Sequence, residues 1–181
     1  MRMVRRFSMT VALLGAVLFG ASAPGTAHAA QALGSDAAAC TPGGGPAIRV
    51  TVEGLKDRTG ELKLELYPAN ETDFLRDDYL LIREGKFFRR VRVPTPASGP
   101  VVLCIRVPSP GPYALLFTHN RDGKNKFNLW SDGAGFASNR KLGRSRPKLE
   151  QAQIMVPAGM VSVDIRAQYL RGLGGFGPIG S

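Results

Sequence analysis

His119-Asn120-Arg121-Asp122 places an imidazole and a carboxylate three residues apart, the spacing at which proton-transfer chemistry could be assembled in this chain. The only other histidine, His28, lies in the N-terminal leader, so any Ser-His-Asp or Cys-His scheme in the processed chain must pass through His119. Ser138 sits in Phe136-Ala137-Ser138-Asn139, which lacks the Gly-x-Ser-x-Gly elbow that exposes a serine nucleophile. The acids Glu61, Glu65, Asp77, Asp78 and Asp164 fall on outward strand positions or turns and form no glycosidase-like pair. One enzymatic reading is therefore open, a hydrolase or isomerase of cell-wall sugars using His119 with Asp122. The plainer reading is that His119 ends a strand and pins the following loop by a hydrogen bond.

A second constellation is electrostatic. Between residues 119 and 149 the hydrophobic alternation stops for about thirty residues, long for a structureless connection in a compact domain. That loop holds Arg121, Lys124, Lys126, Arg140, Lys141, Arg144, Arg146 and Lys148 against Asp122 and Asp132. Its net charge of +6 is most of the excess of the processed chain. Phe127, Trp130 and Phe136 interleave with these cations, a combination that holds phosphate or carboxylate while aromatic rings stack on sugars. The ligand-binding set is Arg121, Lys124, Lys126, Trp130, Arg140, Lys141, Arg144 and Arg146. The alternative is a solvated loop anchored by Trp130 and Phe136 buried beneath it.

The compartment narrows the choice of anion. Arg2, Arg5 and Arg6 precede an apolar run from Val11 to Phe19, and Ala27-His28-Ala29 closes the segment, the order of a secretory signal over residues 1–29. The run is shorter than the ~20 residues of a membrane span. No cysteine stands directly after the small residues at the cleavage point, so a lipoprotein anchor is not indicated. Removing three arginines and no acid takes the charge from +10 to +7. A periplasmic or secreted protein meets lipid head groups, acidic glycans and acidic proteins rather than the chromosome. Cys40 and Cys104, an even pair in an oxidising compartment, read as one disulfide, with two buried free thiols as the alternative. With a single remaining histidine they cannot complete a zinc tetrahedron.

The elements that must position these residues are strands. With 22 glycines and 13 prolines in 181 residues the chain is too rich in turn formers to be mostly helical, and 44% apolar content is enough for a core. Residues 30–46 read as a flexible Ala/Gly/Pro lead-in. From Ile48 the period is two: Ile48, Val50 and Val52 face one way, and Leu62, Leu64 and Leu66 follow the Thr59-Gly60 turn as the second arm of a hairpin. Further strands are expected around 87–93, 101–107, 113–117, 152–156 and 161–169, with a short helix over 73–81 capped by Asp73. About seven strands over 47–170 make an all-β, antiparallel β-sandwich with one long basic loop. Gly172-Leu173-Gly174-Gly175-Phe176-Gly177 matches a dinucleotide fingerprint in letters, but no βαβ unit can form around it, so residues 171–181 read as a flexible glycine-rich tail.

Val50-Thr51-Val52-Glu53-Gly54-Leu55, Gly111-Pro112-Tyr113-Ala114, His119-Asn120-x-Asp122-Gly123, Gly135-Phe136-Ala137-Ser138-Asn139 and Pro147-x-Leu149-Glu150-x-Ala152 occur in an order that resembles an exported bacterial family, the domain of unknown function 2141. The resemblance covers the chain from about Ile48 to Tyr169. It implies a β-sandwich of immunoglobulin-like or prealbumin-like type and no established enzymatic activity. It also implies a loop like a calcium loop, for which Asn120, Asp122, Asn125 and Asn128 are the available oxygen donors. Here Asn120 and Asn128 replace acids, and Arg121, Lys124 and Lys126 interleave with them and oppose a dication.

The reading overall is a non-enzymatic exported module whose basic loop meets an anionic envelope glycan, lipid head groups or an acidic protein, without a cofactor. A calcium-stabilised structural domain and the His119–Asp122 enzyme are the alternatives. N-terminal sequencing of the exported protein should begin at Ala30 or Gln31.

Overall fold

The computed structural model describes residues 30–124 and 126–180. The expected signal segment 1–29, the loop residue Asn125 and the C-terminal Ser181 lie outside the described residues. The chain forms strands β1 (Ala47–Glu53), β2 (Glu61–Pro68), β3 (Arg89–Pro94), β4 (Val101–Arg106), β5 (Gly111–Asn120), β6 (Gly133–Phe136), β7 (Gln153–Val156), β8 (Met160–Arg166), β9 (Gln168–Leu170) and β10 (Phe176–Pro178). Helices α1 (Asp78–Arg83) and α2 (Leu149–Ala152) are short. The strands lie in two sheets, β4-β1-β8 and β10-β9-β6-β5-β2-β3, with β7 also pairing β5. This is the all-β sandwich that the alternation predicts.

The alternation works because successive side chains of a strand point to opposite faces. Ile48 and Val50 from one sheet meet Leu62, Leu64, Leu66, Leu115 and Phe117 from the other, all with no exposed surface, in one core with Leu103, Ile105 and Ile165. Truncating one such leucine to alanine in a core of this kind costs roughly 2–5 kcal/mol.

Three topological expectations are corrected. β1 and β2 are not a hairpin: β1 pairs antiparallel with β4 and parallel with β8, while β2 lies between β3 and β5 in the other sheet. The connection passes through Gly54 and Gly60, both at positive φ, and carries the chain across the layers. Local periodicity sets which face is buried, not which strand lies alongside. The sheets are therefore not wholly antiparallel, and the β1–β8 pair is the exception. Among the described residues ten strands replace the expected seven because β6 forms inside the long loop, Ala167 divides the last expected strand into β8 and β9, and β10 follows.

The helix is also displaced. Asp77, not Asp73, caps α1, accepting from the backbone N–H groups of Tyr79 and Leu80. Asp73 instead binds the Lys86 ammonium at 2.5 Å and the Asn70 amide at 2.9 Å. A side-chain cap is decided by which acid the tertiary fold leaves unengaged.

Residues 30–46, expected as a flexible lead-in, pack on the outer side of β4. The Leu33 N–H donates to Val102 O at 2.8 Å, and Ala32, Ala39 and Cys40 cover Val102 and Cys104. Small side chains let this backbone lie close to the sheet: a Cβ on Gly34 would stand 2.6 Å from Val91 Cγ1. Asp36 is buried, pairs with the Arg89 guanidinium and accepts the Arg106 N–H at 2.9 Å. Burial raises its pKa, but these partners outweigh it and hold the carboxyl below its ordinary value. Cys40 and Cys104 form a disulfide with Cα atoms 6.0 Å apart, as is compatible with an exported protein.

The tail is corrected in the same way. The Gly172–Gly174 turn folds β10 back on β9, and Phe176 is buried. A Cβ on Gly175, whose φ is +71°, would stand 2.2 Å from Gly143 O, so the glycine run serves a tight approach rather than a nucleotide.

Replacing Cys40 and Cys104 together by alanine is expected to lower the unfolding free energy by about 4 kcal/mol, from the 64-residue separation that the bond closes. Urea denaturation measures the loss, and limited proteolysis should then cut within residues 30–46 first.

Candidate functional site

β5 delivers the loop through His119, whose side chain is wholly buried. Nε2 lies 2.8 Å from Thr59 O, which can only accept, so Nε2 carries the hydrogen and Nδ1 is the acceptor. The Tyr169 hydroxyl, 2.7 Å away, therefore donates to Nδ1, and the same hydroxyl accepts the Lys56 N–H at 3.0 Å. Every group in this chain of bonds is satisfied with a neutral imidazole. Burial lowers the His119 pKa by more than the Thr59 carbonyl raises it, and burial pushes the Tyr169 phenol up to about 12. Gly133 makes room for the phenol ring, since a Cβ there would stand 2.4 Å from Tyr169 Cε1.

Asp122 is not the partner of His119. Its Oδ1 accepts the Lys124 N–H at 3.0 Å and its Oδ2 accepts the Asn128 amide at 2.8 Å, and these bonds hold its pKa below the ordinary value. An imidazole with both nitrogens engaged and a carboxylate turned to other donors do not make an acid–base pair.

The same bonds bear on the calcium-loop reading. Asn120 donates its amide to Glu61 Oε1 and to Lys124 O, both at 3.0 Å, and Asn128 Oδ1 accepts the Trp130 N–H at 3.1 Å. Asp132, buried, accepts the Arg121 N–H and the Asn128 N–H, both at 2.9 Å. Asn125 lies outside the described residues. Carboxylate oxygens that face N–H donors, with Lys124 3.7 Å from Asp122, do not fit a hard dication. Among the described residues no group of three or more His, Cys, Asp and Glu side chains is placed to hold a metal.

A family model for uncharacterised proteins conserved in bacteria, the domain of unknown function 2141, matches residues 50–164, from β1 into β8. The chain belongs to this family. No curated protein and no solved structure matches it. The family span includes His119, Thr59 and the whole basic loop, but stops short of Tyr169 and the β9–β10 hairpin that flanks the loop.

The eight basic and aromatic candidates do not form one set. Arg121 is structural: its Nε donates to Asp57 Oδ2 at 2.9 Å and its Nη1 to Ser131 O at 2.8 Å, and the guanidinium drives the Asp57 pKa far down. Arg140 is exposed and 3.3 Å from Glu150, a pair of little energetic weight. Lys124 and Lys126 are exposed on the other limb of the loop. Trp130 is 84% exposed while Phe136 is buried, so the two aromatics expected together beneath the loop part company.

Arg144 and Arg146 do come together with Trp130. They line an open groove of about 680 Å³ whose walls include Phe127, Leu129, Leu142, Leu173 and Phe176. The 140–147 limb is held against β10 by paired bonds between Gly143 and Phe176, at 2.9 and 2.6 Å. Leu173, 89% exposed at the hairpin tip, was hidden from sequence reasoning because its segment read as a tail. Tyr169, Asp57 and Asp132 were missed as well, since the partners that tie them to His119 and Arg121 are 11 to 64 residues away.

Because the folded state favours the neutral imidazole, the unfolded state binds more protons once the pH falls below about 6.5. The His119 contribution is present above that pH and is lost as the pH falls towards the folded value. Urea midpoints should drop from pH 7 to pH 5.5 in the wild type, and His119→Gln should start lower at pH 7 and follow a flatter profile.

Proposed function

We propose that this domain is a non-enzymatic binding module of the bacterial cell envelope that docks on phosphate-bearing lipid head groups through the groove between the basic loop and the β9–β10 hairpin. The observation that carries the reading is the exposure of Trp130 and Leu173, 84% and 89%, beside Arg144 and Arg146 on one groove. A large apolar side chain held in water is unfavourable unless another phase covers it, at about 25 cal/mol per Å². Indole and guanidinium side by side suit a headgroup layer, where the ring lies at the polar boundary and the arginine pairs with phosphate.

Charge supports the same direction. Lys141, Arg144 and Arg146 are exposed and make no ion pair among the described residues, so their field is open to an external anion. The backbone bonds that tie Gly143 to Phe176 of β10 limit the ordering cost of docking. No helix among the described residues is long and apolar enough to cross a membrane, and the reading requires only surface attachment.

Flotation with vesicles of phosphatidylglycerol and phosphatidylcholine should show retention that rises with anionic lipid and falls with added salt. Arg144→Ser with Arg146→Ser is expected to weaken retention about 30-fold, at ~1 kcal/mol per basic residue near such a surface. Trp130→Ala should weaken it on both vesicle types. Equal retention of wild type and double variant would overturn the reading, and retention on acidic polysaccharide alone would replace the lipid by a glycan.

A further inference from the structure

A second cavity, of about 570 Å³, lies on the outer face of the seven-stranded sheet, between β3, β2, β5 and β6. Leu62, Leu64 and Leu66 of β2 face the core, so the alternate residues Glu61, Lys63, Glu65 and Tyr67 face out. The register sets Lys63 beside Thr118, Glu65 beside Leu116 and Glu61 beside Asn120. An outward strand face is ordinarily wet. Here Lys63, Thr118 and Asn120 are only 4%, 7% and 1% exposed, because the 126–136 segment and Pro147 rise beside them.

The polar groups around the cavity divide into those already engaged and those left over. Glu65 accepts from Arg90 at 2.6 Å and from Tyr67 at 2.8 Å, and Asp78 takes the other side of Arg90 at 2.7 Å. Asp77 caps α1, Asp132 accepts two backbone N–H groups, and Arg76 is bound by Glu84. All four acids that line the cavity are therefore engaged. Lys63, by contrast, has three donors and, among the described residues, one ionic contact, Glu61 Oε1 at 3.2 Å. Glu61 in turn takes the Asn120 amide at 3.0 Å and lies 3.8 Å from Arg92. Asn120 Oδ1 is buried and accepts no hydrogen bond among the described residues.

A buried ammonium with spare donors is a costly arrangement in a finished core. In a half-open cavity where Leu116, Phe127, Leu129 and Phe136 supply apolar wall, it matches a small-molecule site in which apolar surface holds the body of a ligand and a few unspent polar groups fix its orientation. We propose that this cavity binds a small organic anion, a carboxylate or a phosphate monoester. Its anionic oxygens bond to Lys63 Nζ and the Thr118 hydroxyl, and its carbon body lies against Leu116 and Phe136. Lys126 at the rim adds a second positive charge along the entry route. The cavity adjoins the Trp130 groove and shares Phe127 and Leu129 with it, but its charged residues are different, so the two sites can be lost separately.

Calorimetric titration of the exported protein with glucuronate, glucose 6-phosphate and octanoate, against glucose and octanol as neutral controls, tests the proposal. Saturable binding of at least one anion and not of its neutral counterpart is expected, and the anion that binds separates carboxylate from phosphate. Lys63→Met keeps the stem and removes the charge, so the fold should hold while affinity drops at least about tenfold. Thr118→Val removes one donor without touching an ion pair, should weaken binding in the same direction, and serves if the lysine variant does not fold. Vesicle retention should be unchanged in both. No binding of any of the three anions by the wild type, or wild-type affinity in the folded variants, would overturn the proposal.

Discussion

The neutral imidazole of His119 sits where three stretches of chain meet. Its two nitrogens join β5 to the carbonyl of Thr59 in the crossing from β1 to β2 and to the hydroxyl of Tyr169 in β9. The crossing carries the chain from one sheet to the other, and β9 carries the hairpin that backs the basic groove, so this ring bonds to both, beside the β6–β9 pairing and the Arg121–Asp57 pair that also hold them. The geometry needs a single protonation state, because only a neutral ring can donate to a carbonyl and accept from a phenol at once. Glycines at 60 and 133 permit the approach: a Cβ at position 60 would stand 2.1 Å from Asn120 O. The residue with the most obvious catalytic potential is thus consumed by architecture.

From this anchor the charges sort by depth. Arg121 leaves β5 directly and is caught by Asp57, Ser131 and the field of the buried Asp132, where a desolvated guanidinium must be paired. Farther along the loop, Arg144 and Arg146 border the groove beside the β9–β10 hairpin, in water, and make no ion pair among the described residues. A run of like charges in sequence therefore contains residues with opposite duties, internal brace and external contact.

Much of the sandwich was legible. Rows such as Ile48-x-Val50-x-Val52 and Leu62-x-Leu64-x-Leu66 have only one way to avoid exposing an apolar face, and the fold uses it. Pairing partners were not legible, and the β1–β2 hairpin was the natural error, since proximity in sequence favours a hairpin while the apolar rows are equally satisfied across two layers. The segments 30–46 and 171–180 misled for a common reason. Glycine and alanine make a chain flexible when nothing covers it and let it lie flush when a strand such as β4 or β9 offers a surface.

The amino-acid sequence by itself determined the seven principal strand segments, their buried faces, the pairing of Cys40 with Cys104 as the available cross-link, and the concentration of positive charge after β5, because each follows from residue type and short-range spacing. Tertiary structure alone decided which cations are free, that Trp130 is out and Phe136 in, and that Lys63, Thr118 and Asn120 share a cavity. Those properties depend on partners brought together from distant positions, such as the Lys63 and Thr118 pair across β2 and β5. Burial and pairing are properties of assembled surfaces, and no window along the chain contains both sides of one.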